Sequence, residues 1–145
     1  MMTVVSRQEE VRQLVESLAD PDQRKSVANA LSNSNPKLAI KTLNRAMDLD
    51  DPVLRLRALE MIEIIGNHDS VRTESVDLMI RISRTDSDWG VRRLSTVALG
   101  NLKMEKAIPS LIQRLADDDP RVHEAAIDAL RKMGSKTTPY LQLEL

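Results

Sequence analysis

Ala107-Ile-Pro-Ser-Leu-Ile-Gln-Arg-Leu-Ala-Asp-Asp-Asp-Pro-Arg-Val-His-Glu-Ala-Ala-Ile-Asp-Ala-Leu-Arg-Lys-Met-Gly134 is the stretch from which the remainder of the chain can be read. Apolar residues recur three and four apart on both sides of Asp117-Asp118-Asp119, so two amphipathic helices are expected around an acidic turn. Asp119-Pro120 supplies an N-cap carboxylate and a proline at the first helical position. The same pairing stands at Asp20-Pro21, Asn35-Pro36 and Asp51-Pro52, with a looser version at Thr138-Pro139. Asp88-Trp89 starts a further helix. Ser6-Arg7-Gln8-Glu9 has the form of a capping box. The chain thus reads as helices at about 6–19, 21–33, 36–48, 52–65, 70–84, 89–102, 106–117, 120–133 and 138–145. Gly66 and Gly134 look like C-terminal glycine stops.

The second helices superpose. Leu54, Arg55, Ala58, Ile62 and Gly66 align with Val122, His123, Ala126, Leu130 and Gly134 at an offset of 68 residues. Val91, Arg92, Ser95, Leu99 and Lys103 fall between them, 31 residues before the later copy. Gln23, Arg24, Val27 and Leu31 form a weaker first copy, and Pro139, Leu141 and Leu145 repeat Pro109, Leu111 and Leu115. A two-helix unit recurring at this period is the signature of an all-α helical solenoid, and degenerate terminal copies are usual. The expected architecture is one domain over 1–145, with about four hairpins and a trailing half repeat.

Composition narrows the function. One Trp, one Tyr and no Phe leave a core of Leu, Ile, Val, Ala and Met, which suits closely packed helices. There is no cysteine, so disulfides, thiolate chemistry and cysteine-ligated metal are excluded. That absence and the lack of a signal-like or membrane-length apolar run point to a cytoplasmic protein with no membrane partner. The formal net charge of -1 gives no global field toward nucleic acid.

The pattern Ala-Ile-Pro-x-Leu-Ile-x-x-Leu-x-Asp-x-Asp-Pro-x-Val-His-x-x-Ala-Ala-x-x-Ala-Leu-x-x-Met-Gly at 107–134 resembles HEAT repeats of the phycobilisome-lyase type, as do the second helices from Pro52 and Trp89. The resemblance covers about three quarters of the chain. It implies a HEAT-like fold, second helices lining a concave groove, and basic residues in the Arg24, Arg55 and Arg92 slot pairing with an Asp of the neighbouring turn. The family includes scaffolds, adaptors and a minority with catalytic associations.

No catalytic constellation accompanies it. His68 lies in a turn and His123 fills the Arg slot, and neither has metal-ligand spacing around it. Asp117-Asp118-Asp119 lacks the staggered oxygens and glycine of a calcium loop and reads as a helix start. Phosphate loops and nucleophile elbows are absent. The chain is therefore expected to be no enzyme, to carry no catalytic or metal-binding residue and to need no cofactor.

If the second helices line the groove, its centre comprises Val53, Leu56, Arg57, Glu60 and Ile64, then Trp89, Arg93, Leu94, Val97 and Asn101, with Pro52 and Gly90 beside them. The flanks are polar: Asp22, Lys25, Ser26, Asn29 and Asn33 on one side, and Pro120, Arg121, Glu124, Ala125, Asp128 and Lys132 on the other. An apolar centre with Trp, Arg neighbours and a polar rim is the composition of a protein interface. The plainer reading packs Trp89 on the adjacent turn and Leu56 and Leu94 between repeats. The expected function is a non-catalytic scaffold or adaptor that binds another protein, acting as a monomer or weak homodimer. Leu141, Leu143 and Leu145 either cap the array or join a second copy. One alternative is nucleic-acid binding through Arg55, Arg57, Arg81, Arg84, Arg92 and Arg93, against which the near-zero charge and the lack of stacking aromatics argue. The other, a bilin lyase-related or bilin-handling subunit, rests on the resemblance alone.

Overall fold

A computed structural model describes residues 4–144, with side chains described from Arg7 to Leu141. The fold is all-α and of the HEAT-like helical-repeat kind, with no strand among the described residues. Nine α-helices are described: α1 (Val4–Ser17), α2 (Pro21–Ser34), α3 (Pro36–Arg45), α4 (Pro52–Gly66), α5 (Arg72–Thr85), α6 (Trp89–Leu102), α7 (Ile108–Arg114), α8 (Pro120–Met133) and α9 (Thr138–Glu144). Several first helices are shorter than their apolar pattern suggests. Ala46–Asp48, Asp69–Val71 and Glu105–Ala107 are single 3-10 turns attached to α3, α5 and α7. Helix α1 is described from Val4, and the Ser6 side chain on which the expected capping box rests lies outside the described residues. The side chains of Leu143 and Leu145 also lie outside them.

The chain divides into two compact units, residues 1–75 and 76–145. In the first, α4 is the central element, packed by α1, α2 and α3. Its core is Val15, Leu43, Leu59, Met61, Ile62 and Ile65, all fully buried. In the second, α6 lies along α8, and α7 packs on α8. Leu99, Ile108, Leu111 and Val122 fill that core. The aligned small-residue slot of the second helices is buried in each copy: Ala58, Ser95 and Ala126. Ser95 fits this apolar slot because its hydroxyl donates back to the Val91 carbonyl, 3.0 Å away.

Aliphatic, aromatic-poor packing lets the helices approach closely. A Cβ built on Gly100 of α6 would lie 2.7 Å from both Cα and Cβ of Ala129 on α8. Helix α6 then ends on Lys103, the one non-glycine among the described residues with positive φ (55°). Lys103 occupies the slot of Gly66 and Gly134, and only Gly134 uses its glycine for a positive φ (61°). Gly66 is not a left-handed stop. It is buried as the last residue of α4, and the cap is Asn67 in right-handed geometry.

Two substitutions test this description by denaturant unfolding. Gly100→Ala should destabilise by about 1–3 kcal/mol, because the neighbouring backbone cannot yield, although Gly to Ala in a helix ordinarily gains stability. Lys103→Gly should stabilise by roughly 0.5–1 kcal/mol by removing the left-handed penalty.

Candidate functional site

The faces offered to partners are set by how each second helix starts. Asp20, Asp51 and Asp119 accept the amides of Asp22, Val53 and Arg121, and Asp88 accepts that of Val91. Four residues after each cap stands the recurring basic residue. Its Nη1 donates to two consecutive carbonyls just before the helix: Arg24 to Leu18 and Ala19, Arg55 to Leu49 and Asp50, Arg92 to Asp86 and Ser87. Arg24 and Arg55 are only 7% exposed. A guanidinium tolerates such burial when its donors are satisfied, and these carbonyls follow the preceding helix or its 3-10 turn.

The remaining donors reach into the next repeat. Arg92 donates from Nε to Asp117 Oδ2 (3.1 Å) and from Nη2 to Asp117 Oδ1 (3.2 Å) and Asp118 (3.3 Å). Arg24 finds a glutamate on a helix instead of an aspartate in a turn: Nε and Nη2 both donate to Glu60 Oε2, at 3.0 and 2.8 Å. His123 cannot span such a distance. Its Nδ1 lies 2.7 Å from the Leu115 carbonyl, which can only accept, so Nδ1 carries the proton there.

The three consecutive aspartates therefore divide their work. Asp119 caps α8 and grips Arg121, whose Nε and Nη2 donate to its two oxygens; that hydrogen bond holds the Asp119 carboxyl down at about 2. Asp117, with a side chain 3% exposed, is the inter-repeat acceptor, and Arg114 adds a second cation at 3.5 Å. Burial would raise the Asp117 carboxyl, but the Arg92 hydrogen bond and the Asp119 amide outweigh it and hold the group below its ordinary value. The same Asp117 hydrogen bond pushes Arg92 up.

The expected groove residues are divided between the two units. On α4, Val53 is 50% exposed, and Leu56, Arg57, Glu60 and Ile64 are half-buried. Two of the charges are already engaged: Arg57 Nη1 donates to the Val15 carbonyl (3.3 Å) at the end of α1, and Glu60 holds Arg24. On α6, Trp89 and Arg93 are exposed, Leu94 and Val97 half-buried and Asn101 exposed. Asn101 Oδ1 accepts from Lys132 Nζ at 2.6 Å. Ala125, expected on the exposed flank, is buried.

The residue whose role sequence reasoning missed is Arg121, which lies exposed on the flank as expected. Its guanidinium carbon lies 3.3 Å from the centroid of the Trp89 ring, a cation–π stack that Asp119 fixes in orientation. Trp89 is thus packed on the adjacent turn and still 37% exposed. The signal was available: Trp89 occupies the slot of Pro120 in the 31-residue alignment, which sets Arg121 beside the ring one repeat on.

Residues 75–142 match the family model of HEAT repeats. The match takes in α5 to α9 and begins well after residue 36, where the sequence resemblance starts. No curated protein matches the chain.

Asp117→Asn should cost about 2–4 kcal/mol at neutral pH, because it leaves Arg92 and Arg114 without their shared anion. The Asp117 carboxyl is more acidic folded than unfolded. Its contribution is complete above the unfolded value of about 3.9 and is lost as pH falls through the folded one. Urea midpoints should therefore drop below about pH 4 in the wild type, and less steeply in Asp117→Asn. Parallel pH profiles would remove Asp117 from this role.

Proposed function

We propose, starting from the HEAT-like repeat, that the chain is a non-catalytic interaction module that docks a segment of another protein. HEAT repeats are commonly protein-interaction scaffolds, and the fold is typically non-enzymatic. The observation that carries the reading is the exposed Trp89, stacked under Arg121 with Arg93, Leu94 and Val97 on the same helix. A large ring held rigid by a cation that is itself held by a carboxylate loses little freedom on binding. Arg93 and Arg121 favour a segment in which acidic residues flank an apolar anchor. Val53, Leu56 and Ile64 on α4 supply a further apolar strip.

The side-chain pairings weigh against nucleic acid. Of the six mid-chain arginines, Arg55, Arg57 and Arg92 are bonded to carbonyls or carboxylates of their own chain. They offer no free stripe to a phosphate backbone. The likeness to phycobilisome-lyase-type repeats is supported by the Asp-Pro start and by the Arg92–Asp117 bridge between successive units. No described helix is long and apolar enough to cross a membrane, and the cysteine-free composition supports work in a reducing compartment such as the cytoplasm.

Affinity purification with wild type, Trp89→Ala and Leu94→Asp, followed by calorimetry on a recovered partner, tests the reading. Each substitution should weaken binding by about 1–3 kcal/mol with the fold intact by circular dichroism. Equal recovery and equal affinity across the three proteins would refute it.

A further inference from the structure

A hollow lies inside the first unit, between its first two hairpins. Leu14 of α1, Leu31 and Ser34 of α2, and Leu38, Thr42 and Leu43 of α3 wall a space of about 250 Å³. Helices of both hairpins supply the walls, so the space lies between repeats and is not a terminal face of the stack. A change of residue type at one slot leaves it open. Leu31 shares its slot with Ile62, Leu99 and Leu130, and three residues further on the later copies carry Ile65, Leu102 and Met133, each buried. The first copy has the small Ser34 there, exposed. Leu14 and Leu31 are only half-buried, and Leu38 on the facing helix is 56% exposed.

We propose that this hollow is a binding site for a small uncharged alcohol with a hydrocarbon body. None of the described residues that line it is charged, so a carboxylate or phosphate held inside would be buried without a counter-ion. The walls are aliphatic apart from a few polar groups, which is how small-molecule sites are composed. Asn35 Oδ1, at the edge, is taken by the Leu38 amide, and the Ser34 hydroxyl leans on the Leu31 carbonyl at 3.4 Å. The Thr42 hydroxyl on the α3 wall can both donate and accept, which suits a single hydroxyl on the ligand. Volume sets the size. An apolar cavity of about 150 Å³ holds benzene, so one of about 250 Å³ takes roughly ten heavy atoms. The site is built from α1 to α3 alone and is independent of Trp89, which belongs to the second unit.

The probes are 1-naphthol and its hydroxyl-free counterpart naphthalene, titrated into the isotope-labelled full chain and followed by amide chemical shifts. 1-Naphthol should bind saturably, with the largest shifts at residues 31–35 and 38–43. Ser34→Ile restores the kind of side chain that the later copies carry. Because it fills the same space, it should weaken 1-naphthol binding at least tenfold and raise the melting temperature by a few degrees. Thr42→Val keeps the shape and removes the hydroxyl. It should weaken 1-naphthol severalfold and leave naphthalene unchanged, which decides the matter even if Ser34→Ile fails to fold. Trp89→Ala should bind as the wild type does. Absence of saturable binding, equal affinity of the wild type and a folded Ser34→Ile, or equal 1-naphthol affinity of the wild type and Thr42→Val would overturn the proposal. Sedimentation of the free protein covers another occupant: self-association abolished by Ser34→Ile would assign the hollow to a second copy and overturn it as well.

Discussion

A guanidinium turned back onto two carbonyls is the contact on which the first three hairpins depend. Helix ends leave carbonyls without intrahelical partners, and a cation is the best group to receive them. Placing that cation four residues into the next helix ties the start of one element to the end of its predecessor. Arg24, Arg55 and Arg92 do this with the same spacing, five and six residues back. Burying the charge would be costly if any donor were idle, so the geometry of the turn is strongly constrained. The proline or tryptophan after the cap and the carboxylate on the amides are the other half of the same joint.

Close packing of small side chains then decides what reaches the surface. With Gly100 against Ala129, α6 and α8 run side by side, tied by Trp89–Arg121 near one end and Asn101–Lys132 near the other. An aromatic in the core would have forced these helices apart. Instead the single tryptophan stands at a helix start, where its ring meets a cation from the next repeat and remains accessible. The exposed face follows from the packing, because positions that do not meet a neighbour at such short range are left to solvent.

Most of the fold was legible because its determinants are local. Asp-Pro starts, the recurring Val/Leu-Arg pair and the Ala, Ser, Ala slot are each set by backbone chemistry within a few residues. The 3-10 turns before α5 and α7 were not legible, since a short apolar pattern fits either helix. Nor was the ending of α4, where Gly66 suggested a left-handed residue and the chain used Asn67 instead; Lys103 shows the opposite, a lysine where glycine would have been natural. The candidate face was legible in type but not in detail. Helical spacing selects Leu94 and Val97, whereas the commitment of Glu60 to Arg24, of Arg57 to the Val15 carbonyl of α1 and of Arg121 to Trp89 depends on groups 36, 42 and 32 residues apart.

His123 gives the series a sense of direction. Arg24 and Arg92 pass a positive charge forward to acidic acceptors 36 and 25 residues later, and an imidazole is too short to continue the relay. Duplication during evolution would therefore have to copy a register that begins at one loop and closes at the next, carrying cation and carboxylate together. A hairpin excised at its helix ends would leave one of the two stranded. The interchangeable module of such a chain is the span between charges, offset by half a repeat from the span between turns.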